Sequence, residues 1–365
     1  MLRTTHCQFC SIVPPYLLLK LAEESADPEV REQAIATLQF TRQARVQRVA
    51  MASNLSVTPA PAAAPAVKKR RIFDCENSND LLRTHVRKEG DAETADIAVN
   101  EAYDYSGITW DFFNMLAGRN SIDGNGLPMT SSVHYSANGK GFDNAFWNGS
   151  QMIYGDGGKI FHRLTQSLDV VAHELTHGIT QYSAGLPYEN QSGALNEHFS
   201  DVFGVVVRQW HEKEADPKTA GWLVGEGLML AGSHYALRSL KAPGTAFPGD
   251  IQPDHMSKYK KLANNELEDY GGVHINSGIP NRAFYLAAVA LGGPSWETAA
   301  NIWYKTLTQR LKGTSSFEKC AYETISVARD FFDDATAAKV AKAWLDVGVI
   351  SGTEGPVASL SMPVV

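Results

Sequence analysis

Long apolar runs are missing from this chain, and cysteines are scarce. No stretch of eighteen apolar residues occurs, so the sequence offers no membrane-spanning helix. Four cysteines in 365 residues, Cys7, Cys10, Cys75 and Cys320, are too few for a disulfide framework. Cys7 and Cys10 form a C-x-x-C pair, but no second pair follows to complete a structural zinc site. An ordinary secretory leader is also lacking: Pro14-Pro15 interrupts the N-terminus, and Leu17-Leu18-Leu19 runs straight into Lys20. Positive charge is short outside the head. Residues 1–71 carry ten Lys or Arg against five Asp or Glu, while the remainder carries 23 against 35, a net −12. An acidic body argues against nucleic acid as the main partner. The basic head either docks on that body or is simply solvated.

What is present is enough apolar residue, 44% of a 39.8 kDa chain, for two lobes. Its most informative segment is His173-Glu174-Leu175-Thr176-His177. On an α-helix, residues four apart sit about 40° apart around the axis and about 6 Å along it, so two imidazoles can grip one ion. Glu174 would reach water at the metal without being a ligand. Catalytic zinc needs a third protein ligand. Glu197 lies in a segment, Gly193 to Val207, whose apolar residues recur at helical spacing, so it would come from a rigid element. Asp201, one turn further on, could hold the free ring nitrogen of a ligand histidine.

The organisation along the chain follows from composition. Residues 27–49 have helical periodicity through Val30, Ile35, Leu38 and Val46. Ser53 to Val67 is rich in Ala and Pro and reads as an extended linker. Lys68-Lys69-Arg70-Arg71 is then either a nuclear address or a protease-accessible junction. Residues 72–165 mix short β-rich runs with turns and one amphipathic stretch near Ala95 to Phe113; residues 186–350 carry long helical periodicities. The expected division is a prosegment at 1–52, a linker and basic junction at 53–71, an N-terminal catalytic lobe at 72–185, a helical lobe at 186–350 and a tail at 351–365.

The zinc pentapeptide and, after nineteen intervening residues, the Glu197 of Asn196-Glu197-His198-Phe199-Ser200-Asp201 resemble the site of thermolysin-type neutral metalloproteases. That family is the standard His₂Glu example, so the ligand set is borrowed from it. Matches also run through Asn144-Ala145-Phe146-Trp147-Asn148-Gly149, Tyr154-Gly155-Asp156-Gly157, Leu237-Arg238-Ser239 and Gly271 to Ile279, and close at Trp344 to Val349. Pro14-Pro15-Tyr16-Leu17-Leu18 resembles the motif of the short prosegments in protealysin-like members. The resemblance implies an α+β, two-lobed fold with a mixed N-terminal lobe, a mainly helical C-terminal lobe and the zinc helix between them at the floor of a cleft.

The same resemblance implies the roles of further residues. One catalytic zinc is held by His173, His177 and Glu197, and Glu174 is the base. His274 and Tyr188 stabilise the oxyanion, and Asp269 orients His274. Asn144, Ala145 and Arg238 bind the substrate backbone, with Ala145 offering groups for an added strand. Phe161, Leu164, Val170, Val224, Leu228 and Leu237 correspond to the apolar pocket after the scissile bond, so cutting is expected on the amino side of bulky apolar residues. Calcium is where the match weakens. Asp169 and Glu226 align with two calcium-binding acids, but Arg208, Gly221 and Leu223 stand where others would be, which leaves at most one weak site.

The expected function is thus a zinc-dependent neutral endopeptidase, made as a monomeric proenzyme whose own N-terminal prosegment inhibits it, acting on peptides and proteins away from membranes and nucleic acids. The prosegment would be cut between about Val49 and Arg71. Cys7 or Cys10 either ligates zinc before maturation or is incidental. Family resemblance suggests an extracellular enzyme. Without an ordinary leader, that means non-Sec export or an intracellular precursor. The rival readings are an inactive zinc scaffold, which has no need of Glu174 and His274, and a zinc aminopeptidase. Some aminopeptidases place eighteen residues before the third ligand rather than nineteen. Ser183 stands where metzincins need a third histidine.

Overall fold

The computed structural model describes residues 10–52, 66–136, 139, 141–232 and 234–351. The side chains of Cys10 and residues 42–52 lie outside that description, as do Cys7, most of the linker and the tail. The chain divides into two compact units, Met1–Gly185 with Gly225–Leu237, and Leu186–Val224 with Arg238–Val365. No described helix is long and apolar enough to cross a membrane.

The first unit is built on a six-stranded mixed sheet. Its strands are β1 (Cys10–Ser11), β2 (Arg70–Asp74), β3 (Thr84–Lys88), β4 (Met129–Val133), β5 (Ala145–Trp147) and β6 (Met152–Tyr154). They lie in the order β1-β5-β6-β4-β2-β3. β2, β4 and β6 run parallel, while β1, β5 and β3 are antiparallel to their neighbours. The head forms α1 (Pro15–Glu24) and α2 (Pro28–Ala52). Pro15 sits at the first helical position of α1, where its missing N–H and fixed φ cost nothing. The helical periodicity of residues 27–49 falls in α2, and the stretch near Ala95 to Phe113 in α3 (Ile97–Ala117). Asp96 caps α3 by accepting from Val99 N, and Gly118, at φ 62°, ends it in the left-handed conformation glycine tolerates.

Strand alternation divides the sheet faces. Trp147 packs toward α4 (Leu168–Gln181): a Cβ on Gly178 would meet its ring at 3.2 Å, and its Nε1 donates to Gln181 at 3.0 Å. Phe146 faces the other way, into a cluster with Cys75, Tyr135, Phe142 and Ile153. Phe40 of α2 covers that cluster, its ring 5.1 Å from Tyr135 and 4.9 Å from Phe142. Leu17 and Leu18 of α1 are also buried; each such side chain contributes roughly 1.5–3 kcal/mol by leaving water. The head is therefore packed into this unit and supplies its edge strand.

The second unit is mainly helical, as expected. It holds α5 (Asn190–Glu212), a short hairpin of β7 (Leu223–Val224) and β8 (Arg238–Ser239), α6 (Asp269–Asn276), α7 (Gly278–Leu291), α8 (Thr298–Lys305), α9 (Phe317–Phe331) and α10 (Asp334–Asp346). Its core stacks Trp303 on Trp344 at 6.3 Å, with Phe284 edge-on to Trp303 at 5.0 Å. Such ring pairs add to what the buried area alone contributes.

Candidate active site

His173, Glu174 and His177 fall on α4, where residues 168–180 are all buried. The helical spacing does what the sequence requires. His173 and His177 bring their Nε2 atoms 3.0 Å apart, with the rings edge-on at a centroid distance of 4.7 Å. Among the described residues, one group of His, Cys, Asp and Glu has donor atoms close enough to share an ion: those of His173, His177 and Glu197 lie within 4.8 Å of one another. Two buried imidazole nitrogens facing each other beside a carboxylate fit a divalent metal with N and O ligands. Glu174 accepts from Trp147 N at 2.9 Å, which ties it to β5.

In the second unit Glu197 and Asp201 lie on α5 and are fully buried. Tyr188 donates its hydroxyl proton to Glu197. The same oxygen lies 3.0 Å from His274 Nε2, whose only role is then donor. His274 Nδ1 lies 2.6 Å from Asp269 Oδ1, so both ring nitrogens carry protons and the ring is an imidazolium. Burial alone would lower the His274 pKa, but the charges of Asp269 and Glu197 outweigh it and the pKa is raised. Asp269 also accepts the His274 backbone N–H at 2.7 Å, a short-range grip that requires the chain to turn back on itself. It does so through four consecutive left-handed residues, Asp269 to Gly272, with φ of 52°, 51°, 85° and 75°. A Cβ on Gly271 would come within 2.4 Å of Asn190, which explains the glycines before this histidine.

Arg238 on β8 is fully buried and its Nε lies 3.0 and 2.9 Å from the two oxygens of Asp201. Asp201 also accepts from Asn281 Nδ2 at 2.8 Å. Its expected hydrogen bond to a ligand histidine stays a proposal. Asn144 and Ala145 are engaged by the head. Asn144 Oδ1 accepts from Val13 N at 3.1 Å, Ala145 O accepts from Ile12 N at 3.2 Å, and Ser11 pairs with Phe146 in antiparallel register. Phe161, Leu164, Val170, Leu228 and Leu237 are buried in the first unit, where Leu228 and Leu237 flank Gly225; Val224 is buried in the second. A cavity of about 580 Å³ is lined by Phe161, His134 and Asp156 but not by His173, Glu174 or His177, so its size marks no reaction centre.

Asp169 is buried and accepts from Ser167 Oγ and from Gly225 N at 3.2 Å, whereas Glu226 is exposed. Arg208 donates to Gly221 O at 2.9 Å. Spacing gave no sign of three further polar residues, His198, Asn281 and Trp303, nor of the Trp147 N–H that holds Glu174.

Residues 65–181 match the family described as "Thermolysin metallopeptidase, catalytic domain", and residues 184–349 match "Thermolysin metallopeptidase, alpha-helical domain". The chain belongs to the thermolysin metallopeptidase family. It is 47% identical over 348 residues to an extracellular metalloprotease of Pectobacterium carotovorum subsp. carotovorum, covering 93% of this chain and 96% of that one. It is 38% identical over 346 residues to Protease PrtS of Photorhabdus sp. (strain Az29), covering 93% and 91%. Among solved structures it resembles the precursor of protealysin, a metalloproteinase from Serratia proteamaculans, with 46% identity and a TM-score of 0.81 over 93% of this chain and all of that one. The fold is thermolysin-like, and the chain is a metalloendopeptidase.

Proposed function

We propose that this chain is the precursor of a zinc-dependent neutral endopeptidase that cuts on the amino side of bulky apolar residues and is held inactive by its own head. The observation that carries the metal assignment is the gathering of His173, His177 and Glu197 donor atoms within 4.8 Å. Zinc, when held there, supplies Lewis-acid catalysis. Glu174, steadied by Trp147 N–H, takes a proton from the attacking water and returns it to the leaving nitrogen. The His274 imidazolium and the Tyr188 hydroxyl donate to the oxygen that gains charge as the peptide carbonyl is attacked. Asp269 holds His274 in the required orientation and protonation state.

Substrate binding follows from β5. An extended peptide adds as an edge strand along Asn144 and Ala145, Arg238 donates to a carbonyl, and a bulky apolar side chain enters among Phe161, Leu164, Val170, Val224, Leu228 and Leu237. Such a pocket gives preference rather than strict selection, since burying one side chain is worth roughly 1.5–3 kcal/mol. The head inhibits because β1 already occupies the edge of β5 and uses the same Asn144 and Ala145 groups. Cleavage in the linker between about Val49 and Arg71 releases it. The mature enzyme acts outside the cell as a monomer, without nucleic acid or membrane. Calcium, if bound, uses Asp169 and Glu226 in one weak site.

Glu174→Gln tests the mechanism. The variant is expected to retain one equivalent of zinc and lose most peptide hydrolysis; near-normal turnover with zinc bound would remove Glu174 as the base.

A further inference from the structure

A buried relay of directed hydrogen bonds ends on Arg238 and uses residues outside the proposed reaction. Trp303, on α8, can only donate, and its Nε1 lies 2.8 Å from His198 Nε2. His198 Nε2 is therefore the acceptor and the ring proton sits on Nδ1, which is 2.8 Å from Asn281 Oδ1. An amide that accepts through Oδ1 must donate through Nδ2, and Asn281 Nδ2 lies 2.8 Å from Asp201 Oδ2. Asp201 in turn receives Arg238 Nε. Each link fixes the direction of the next. The five side chains come from α5, α7, α8 and β8, and all are completely buried.

Burying this many polar groups costs free energy that apolar residues of the same volume would avoid, so stability alone does not account for them. A carboxylate held only by Arg238 could turn with the guanidinium. The amide of Asn281 pins Oδ2 of Asp201, His198 pins the amide, and Trp303 pins the ring. The one end of this relay assigned a task in substrate binding is Arg238.

We infer that Trp303, His198 and Asn281 are positioning residues, holding Asp201 and through it Arg238 in the orientation that presents the guanidinium to a substrate carbonyl. This rests on the substrate-binding role of Arg238 proposed above. Because that contact is made in ground state and transition state alike, disturbing it raises KM and leaves kcat nearly unchanged. A merely structural role predicts a lower melting temperature or a smaller active fraction, without a change in KM.

The test compares the matured zinc enzyme with its His198→Phe, His198→Gln and Trp303→Phe variants. The readouts are zinc content, melting temperature, and kcat and KM on a quenched peptide with a central Gly-Leu bond. His198→Phe removes both links and is expected to raise KM about tenfold with kcat within about twofold. Trp303→Phe, which keeps a ring of similar bulk, should shift KM in the same direction by less. Glutamine can accept from Trp303 and donate to Asn281, so His198→Gln should bring KM back to within about threefold of the parent. An unchanged KM in His198→Phe with zinc retained would overturn the inference. So would equal defects in the Phe and Gln variants that track loss of zinc or of melting temperature. If the parent enzyme cleaves nothing with zinc bound, the peptidase reading fails and takes this inference with it.

Discussion

His134 gives a stability prediction that needs no substrate. Its Nδ1 lies 2.7 Å from Asp156 and its Nε2 2.8 Å from Asp96, so both ring nitrogens face carboxylates and the ring is an imidazolium. The hydrogen bond to Asp156 is the main cause of a pKa pushed up to about 9; burial opposes it, and the Asp156 charge and Asp96 add to it. The residue is held at φ 54°, a conformation that side chains other than glycine rarely adopt, and Asp96 is also the cap of α3. Between an ordinary value near 6.5 and about 9 the full shift would be worth about 3 kcal/mol. The two carboxylates are 39% and 37% exposed, so solvent reduces this to about 1–2 kcal/mol. Because the folded pKa is raised, the contribution is fully present below pH 6.5 and is lost as pH rises through 9. The assay is urea unfolding followed by circular dichroism at pH 6 and pH 10, with and without His134→Gln, on the Glu174→Gln background to prevent autolysis. The His134 protein should exceed its Gln variant by about 1–2 kcal/mol at pH 6, with most of that margin gone at pH 10. An equal margin at both pH values would refute the clamp.

Other consequences are equally direct. Ile12→Pro removes the N–H that Ala145 O accepts and should shorten the lag before self-activation roughly fivefold, the effect of about 1 kcal/mol, read as the time course of N-terminal fragment release. Asp269→Asn leaves His274 with a neutral partner and should lower kcat by about ten- to a hundredfold at unchanged KM; a pure KM effect would remove His274 from oxyanion stabilisation. Arg208 donates to Gly221 O where the family's calcium sites expect ligands, so a calcium-selective chelator should leave the half-life at elevated temperature unchanged.

The catalytic helix was legible because its signal is local: His173, Glu174 and His177 need only the period of one helix. The same holds for Glu197 on α5 and for α2, α3 and α10, whose periodicity survives folding. Nothing local announces that Cys10 and Ser11 form an edge strand, because two residues carry no period and the pairing partner is 135 residues away in Phe146. The left-handed turn at Asp269 to Gly272 was visible only as glycines; its purpose, returning the Asp269 carboxylate to the His274 N–H, is a matter of three-dimensional closure. Spacing on α5 places Asp201 one turn from Glu197 but cannot reveal its partners Arg238 and Asn281, which come from β8 and α7.

The central claim is that this chain matures into a zinc endopeptidase. It is tested most directly by incubating the full chain with zinc and an internally quenched peptide containing a central Gly-Leu bond, with and without a chelator, and weighing peptide products and enzyme by mass spectrometry. The account predicts chelator-sensitive cleavage before Leu, together with loss of an N-terminal fragment ending between about Val49 and Arg71. Absence of cleavage after the linker has been cut and zinc supplied, or cleavage that persists with the metal removed, would contradict it.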